Sequence, residues 1–85
     1  MEKYSVVVER YGRDGSTAAC FDLESNGRRF IIDNCHLITA PFWADHRLNC
    51  YWGTYTYEGE NVISSCMACL FLDEESRNGV LFLHR

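Results

Sequence analysis

The stretch SNGRRFIIDNCHLI, residues 25–38, decides how the chain is read. Asn26-Gly27 is a two-residue hairpin signal, because both residues accept the positive φ that a tight β-turn demands. Behind it, Phe30-Ile31-Ile32 is a run of strand formers. Such a run pairs back on the segment before the turn. That segment, TAACFDLE (17–24), is ambiguous alone. Thr17, Ala19, Phe21 and Leu23 alternate as in a strand, yet Ser16 could cap a helix and Gly27 could end one. The hairpin signal favours the strand.

A period of two extends outward from this point. KYSVVVERY (3–11) reads as a strand with Tyr4, Val6 and Val8 on one face, and GRDGS (12–16) as a turn. Downstream, NCYWGTYTY (49–57) and VISSCMACLFL (62–72) are strands separated by the turn EGEN. VLFLHR (80–85) is the last strand, after the loop DEESRNG (73–79). Two apolar runs flanking that loop predict a hairpin joining 66–72 to 79–84. TAPFWADHRL breaks the period. Pro41 suits the first turn of a helix, so a short helical insert is expected near residues 41–48, with Phe42, Trp43 and Leu48 on its apolar side. The expected fold is all-β, or β-rich α+β. It is a single small antiparallel sheet over 1–85, strongly bent or closed as a barrel of five to six strands.

The composition is that of a folded chain: 47% of residues are hydrophobic, 14% are aromatic, and there is one proline. Net charge is −4. Up to residue 29, Lys3, Arg10, Arg13, Arg28 and Arg29 balance Glu2, Glu9, Asp14, Asp22 and Glu24, so the acidic excess lies beyond. That balance argues against nucleic-acid binding, which rests on phosphate neutralisation. No run reaches the length of a membrane span or a signal-peptide core, which leads to an expectation of a cytoplasmic protein.

In strand 49–57, Tyr51, Gly53, Tyr55 and Tyr57 share one face, and Cys50, Trp52, Thr54 and Thr56 the other. Cys50 and Trp52 are expected to point to the core and the tyrosines to a half-exposed face. A functional reading makes that Tyr row a binding face, with Gly53 letting a partner approach the backbone. In CLFL and VLFL both faces are apolar. Either this pair is covered above and below, or one face meets a second copy of the chain as a homodimer.

The chemistry-bearing residues form no defensible catalytic set. Cys35 and His36 are adjacent, so a strand sends them to opposite faces. Asp45-His46 has no nucleophile specified beside it, and no phosphate loop is present. Cys66 and Cys69 have zinc-knuckle spacing, and Cys35, His36 and Cys50 could complete four ligands. Three residues apart in a strand, however, Cys66 and Cys69 face opposite ways, which favours buried thiols. Folding without metal, cofactor or disulfide is expected.

Carboxylates cluster at Glu58 and Glu60 and again at Asp73, Glu74 and Glu75. Acid beside Tyr51, Tyr55 and Tyr57 suits a contact with a basic partner protein. The expectation is therefore a small, acidic, non-enzymatic protein-binding module. In its narrowest form it is a phage- or mobile-element-encoded inhibitor of a host nucleic-acid-handling defence complex, anti-CRISPR-like in profile. The alternative is a small barrel binding single-stranded nucleic acid through the Tyr row, with Arg10, Arg13, Arg28 and Arg29 on phosphates.

Overall fold

The computed structural model describes residues 1–14, 18–58 and 61–85, side chains excepted at 14, 57, 58 and 61–65. Six strands follow in order: β1 (Glu2–Asp14), β2 (Ala18–Ser25), β3 (Arg28–Ile38), β4 (Asn49–Glu58), β5 (Asn61–Leu72) and β6 (Asn78–His84). Each pairs antiparallel with the next, and β6 pairs with β1, so the sheet closes as a barrel. The all-β, antiparallel reading is thus the fold observed. The latter part of the expected turn at 12–16 lies outside the described residues. Its beginning, through Asp14, is still strand.

Closure depends on β1. Its first half, Glu2–Val7, pairs with β6, and its second half, Val7–Asp14, pairs with β2. The β1–β2 register shifts between Val8 and Arg10, the kind of bulge that bends a strand around a barrel. A second irregularity lies in β3, where Asn34 takes φ 54° and the register with β4 shifts between Asp33 and His36. Because β6 has a neighbour on each side, it is not an edge strand, and closure removes the exposed ladder an edge would present.

The interior is built from alternate residues. Val6 and Val8, Phe21 and Leu23, Phe30 and Ile32, Leu70 and Leu72, and Leu81 and Leu83 all bury their side chains in one cluster. The Asn26-Gly27 turn has the expected geometry, with φ of 50° and 81°. The hairpin joining 66–72 to 79–84 is also present, with Met67 opposite His84 and Leu72 opposite Gly79. Asn78-Gly79 is not its turn. Arg77 takes the positive φ (63°), and its N–H donates to the Asp73 carbonyl at 2.8 Å. Gly79 serves the strand pairing, since a Cβ there would lie 2.6 Å from the Phe71 carbonyl oxygen.

The helical insert near 41–48 is absent; the described residues contain no helix. Two successive turns stand in its place. Ala44 N–H donates to the Pro41 carbonyl and Leu48 N–H to the Asp45 carbonyl, each at 3.0 Å. Asp45 is the reason the first turn does not propagate. Its carboxylate accepts the Arg47 N–H at 2.9 Å, a local bond that competes with helix formation.

Candidate protein-binding surface

The turns of residues 39–48 form an arm that folds back over the outside of the barrel. Ala40, Ala44 and Leu48 pack on Cys50, Cys69 and Phe71, with Phe82 beside them. This explains why β5 and β6 are apolar on both sides: their outer face is met by the chain's own arm. Small residues at 40 and 44 let the arm lie close. The Asp45–Arg47 fork, at 2.8 Å, fixes its outer turn, and those bonds hold the Asp45 carboxyl down to about 2.

The arm carries two large rings that it does not bury. Phe42 is 92% exposed and Trp43 66%. Trp43 leans on Phe71, with ring centroids 5.9 Å apart, while Phe42 projects outward. Between the arm and the barrel wall lies a groove of about 340 Å³, walled by Ile38, Trp43, Trp52, Phe71, Phe82 and His84. Trp52 is 37% exposed and packs at a tilt against His84, with ring centroids 5.3 Å apart. On the groove floor, the sulfurs of Cys50 and Cys69 lie 3.6 Å apart.

The expected Tyr face is reversed. Tyr51 is 8% exposed and Tyr55 is fully buried, both inside the barrel, whereas Trp52 stands outside. A narrow barrel needs large and small side chains in alternation on its inner wall. Tyr51-Gly53-Tyr55 supplies that alternation. A Cβ at Gly53 would lie 2.4 Å from Cys35 Sγ and 2.8 Å from the Asp33 carbonyl oxygen, so the gap admits β3 and not a partner. The Tyr51 hydroxyl donates to Glu74 at 2.7 Å. Burial first, and that bond second, push its phenol well above its ordinary pKa. Tyr51 and Tyr55 therefore serve as core residues. Tyr57 lies opposite Val62 in the β4–β5 ladder, and its side chain is outside the described residues.

Topology sends the two acidic clusters to opposite ends of the barrel. Glu58 lies opposite Asn61 where β4 turns into β5, and Glu60 lies outside the described residues. Asp73, Glu74 and Glu75 occupy the β5–β6 turn, at the same end as the arm. Glu74 also accepts a bond from Asn49 Nδ2 at 3.1 Å, which ties this turn to the base of the arm. Asp73 caps its own turn by accepting the Glu75 N–H at 3.0 Å, and Glu75 is exposed.

The four candidate zinc cysteines do not converge. Cys35 and Cys66 belong to the inner cluster, and Cys50 and Cys69 to the outer one. Among the described residues, no three His, Cys, Asp or Glu side chains are placed to hold a metal ion. Cys35 and His36 do point apart, one buried and one exposed. Asp33 accepts bonds from Cys20 Sγ at 2.9 Å and Thr56 Oγ1 at 3.0 Å. Of the arginines considered for phosphate contact, Arg29 is forked onto Asp22, with its shortest contact at 2.8 Å, and Arg28 lies over the Tyr4 and Phe30 rings.

No family model, curated protein or solved structure matches the chain. The surface must be read from its own geometry. Sequence reasoning passed over Phe42 and Trp43 as binding residues by giving them to the apolar side of a helix. The usable signal was two adjacent large rings in a segment with no period to share them out.

Proposed function

We propose that the chain is a non-enzymatic protein-binding module whose contact centres on Phe42 and Trp43, with Trp52 and the groove beneath as the seat for a partner side chain. One observation carries this reading: two neighbouring rings stand in solvent on an arm that local bonds hold in shape. Exposed aromatics on a preordered support are what interface anchors require, because little entropy is lost when they dock. Asp73, Glu74 and Glu75 lie at the same end and act as an acidic rim, which favours a partner with a basic surface. The narrower reading is a partner that handles nucleic acid and a role for this chain as its inhibitor, of the kind phages and mobile elements encode. The net charge of −4 supports that narrowing. Tyr57 and Glu58, at the opposite end of β4, are reached by such a partner only if the contact spans the barrel.

The test is affinity capture with the wild type beside a Phe42→Ala/Trp43→Ala variant, followed by binding measurements on the purified candidate. The expected result is a protein retained by the wild type. The variant loses about 2–4 kcal/mol of binding through faster dissociation. Changing Glu75, the exposed carboxylate of that rim, to Lys should slow association and weaken its salt dependence. Undiminished binding by a folded Phe42/Trp43 variant would move the contact elsewhere. Sedimentation of both proteins separates a second copy of the chain from a different partner. The nucleic-acid alternative predicts a gel shift at low salt, and the burial of Tyr51 and Tyr55 removes the stacking row it needs.

A further inference from the structure

Cys50 and Cys69 project from neighbouring strands onto the outer face of the barrel. Cys50 lies opposite Phe71 and Cys69 opposite Trp52, so the two meet along a diagonal of the ladder. Their sulfurs are 3.6 Å apart. Both line the groove, where Cys69 is 8% and Cys50 1% exposed, so the groove is the side from which a small molecule would approach them. The neighbouring walls are apolar rings, and the cover is an arm that rests on the cluster through Ala40, Ala44 and Leu48.

We propose that Cys50 and Cys69 are a modification site: a dithiol that a small hydroperoxide entering the groove oxidises to an intramolecular disulfide. The reaction needs little movement. Disulfide sulfurs sit about 2.05 Å apart, so the pair must close by roughly 1.5 Å. The roles of the two sulfurs differ. The two thiols share a hydrogen bond in which either can be the donor; burial raises the Cys50 thiol, and the bond to Cys69 offsets part of that rise. Burial, together with that bond, pushes the Cys69 thiol up to about 12, so it keeps its proton. Cys50 is the attacking sulfur. It takes one oxygen of the hydroperoxide as the O–O bond breaks, and the other oxygen leaves as alkoxide or hydroxide and is protonated. Cys50 is then a sulfenic acid. Cys69 sulfur attacks Cys50 sulfur, the S–O bond breaks, and the departing hydroxide takes the Cys69 proton as water. Two thiols and one hydroperoxide thus give one disulfide, one water and one alcohol (or a second water when the oxidant is hydrogen peroxide). A thiol reductant reverses the change. The bond forms under the arm, so it shifts the seat of Phe71 and with it Trp43. This assignment does not depend on the binding proposal.

The test uses the whole protein and hydrogen peroxide. No lysine or arginine lies between Arg47 and Arg77, so the oxidised chain is mapped by chymotryptic digestion without reductant. The expected product is a Cys50–Cys69 link with the loss of two hydrogen atoms. A change in tryptophan emission should accompany it, and dithiothreitol should reverse both. Cys69→Ser should trap a sulfenic acid at Cys50 that dimedone labels, and Cys50→Ser should leave Cys69 unlabelled. If the links form at Cys20–Cys35 instead, or Cys50 and Cys69 go to sulfinic acids without a link, the proposal is overturned. It is equally overturned if both thiols survive peroxide that fully oxidises the urea-unfolded chain.

Discussion

Strands β4, β5 and β6 bury side chains on both sides, and the two sides are closed by different means. The inner cluster is sealed by the barrel itself: every strand contributes, and Phe30, Ile32, Tyr55, Leu70 and Leu81 are fully buried. The outer cluster of Cys50, Cys69 and Phe71 is sealed by a single arm of turns. Closure all round buries the rings of Phe21, Phe30 and Tyr55, whereas closure by one arm leaves Phe42 and Trp43 in solvent and a groove along its border. Stability is thereby assigned to the inside, and the freedom to present a surface to the outside. The difference should appear in mutation and titration.

The largest effect is expected inside. Phe30→Ala should cost about 3–5 kcal/mol in denaturant unfolding, since the rings of Tyr4 and Tyr55 pack against it and cannot collapse into the void. A loss near 1 kcal/mol would mean that the interior is loosely packed and the contrast false. Alkaline titration compares the clusters through one thiol in each. Burial pushes both Cys35, inside, and Cys69, outside, up to about 12. The folded state therefore holds protons that the unfolded chain releases near pH 9. Stability should be full below pH ~9 and fall as pH rises towards about 12. Cys35→Ala and Cys69→Ala should each flatten part of that fall in melts followed from pH 8 to 11, and an unchanged slope in both would exclude the thiols as its source.

Gly53→Ala should cost about 1–3 kcal/mol by overpacking. Adding Cys35→Ala should recover part of the loss and not all, because a Cβ at 53 also meets the Asp33 carbonyl oxygen. Full additivity of the two changes would deny their contact. The smallest effect is expected at the arm. Leu48→Ala should cost about 1 kcal/mol or less, as the side chain is only half-buried, yet it should shift the tryptophan emission spectrum. A loss as large as that of Phe30→Ala would make the arm part of the core.

Much of the fold was legible because strand pairing leaves local marks. Asn26-Gly27 announced its hairpin, and the apolar runs around 73–79 announced another. The face of β4 was not legible. A period of two says which residues travel together and not which set goes inside. That choice was made by closure and by the approach of β3 to Gly53, which is non-local. The arm was misread because Pro41 is compatible with both a helix start and a turn. Asp45 decided between them through a bond to the main chain two residues on. The candidate site was hidden for the same reason, since Phe42 and Trp43 become surface rings only once the helix is gone.

The division of β1 between two partners has a kinetic consequence. Glu2–Val7 cannot complete its ladder until Asn78–Leu83 arrives, which makes this the pairing of greatest sequence separation in the molecule. Each of the other ladders joins consecutive strands and forms from local contacts. A chain ordered in this way assembles as a growing meander and closes last, so the β1–β6 seam carries the late, slow step of folding. The same seam is the natural line along which the closed sheet first opens, and amide exchange in the first half of β1 should outpace that in β4.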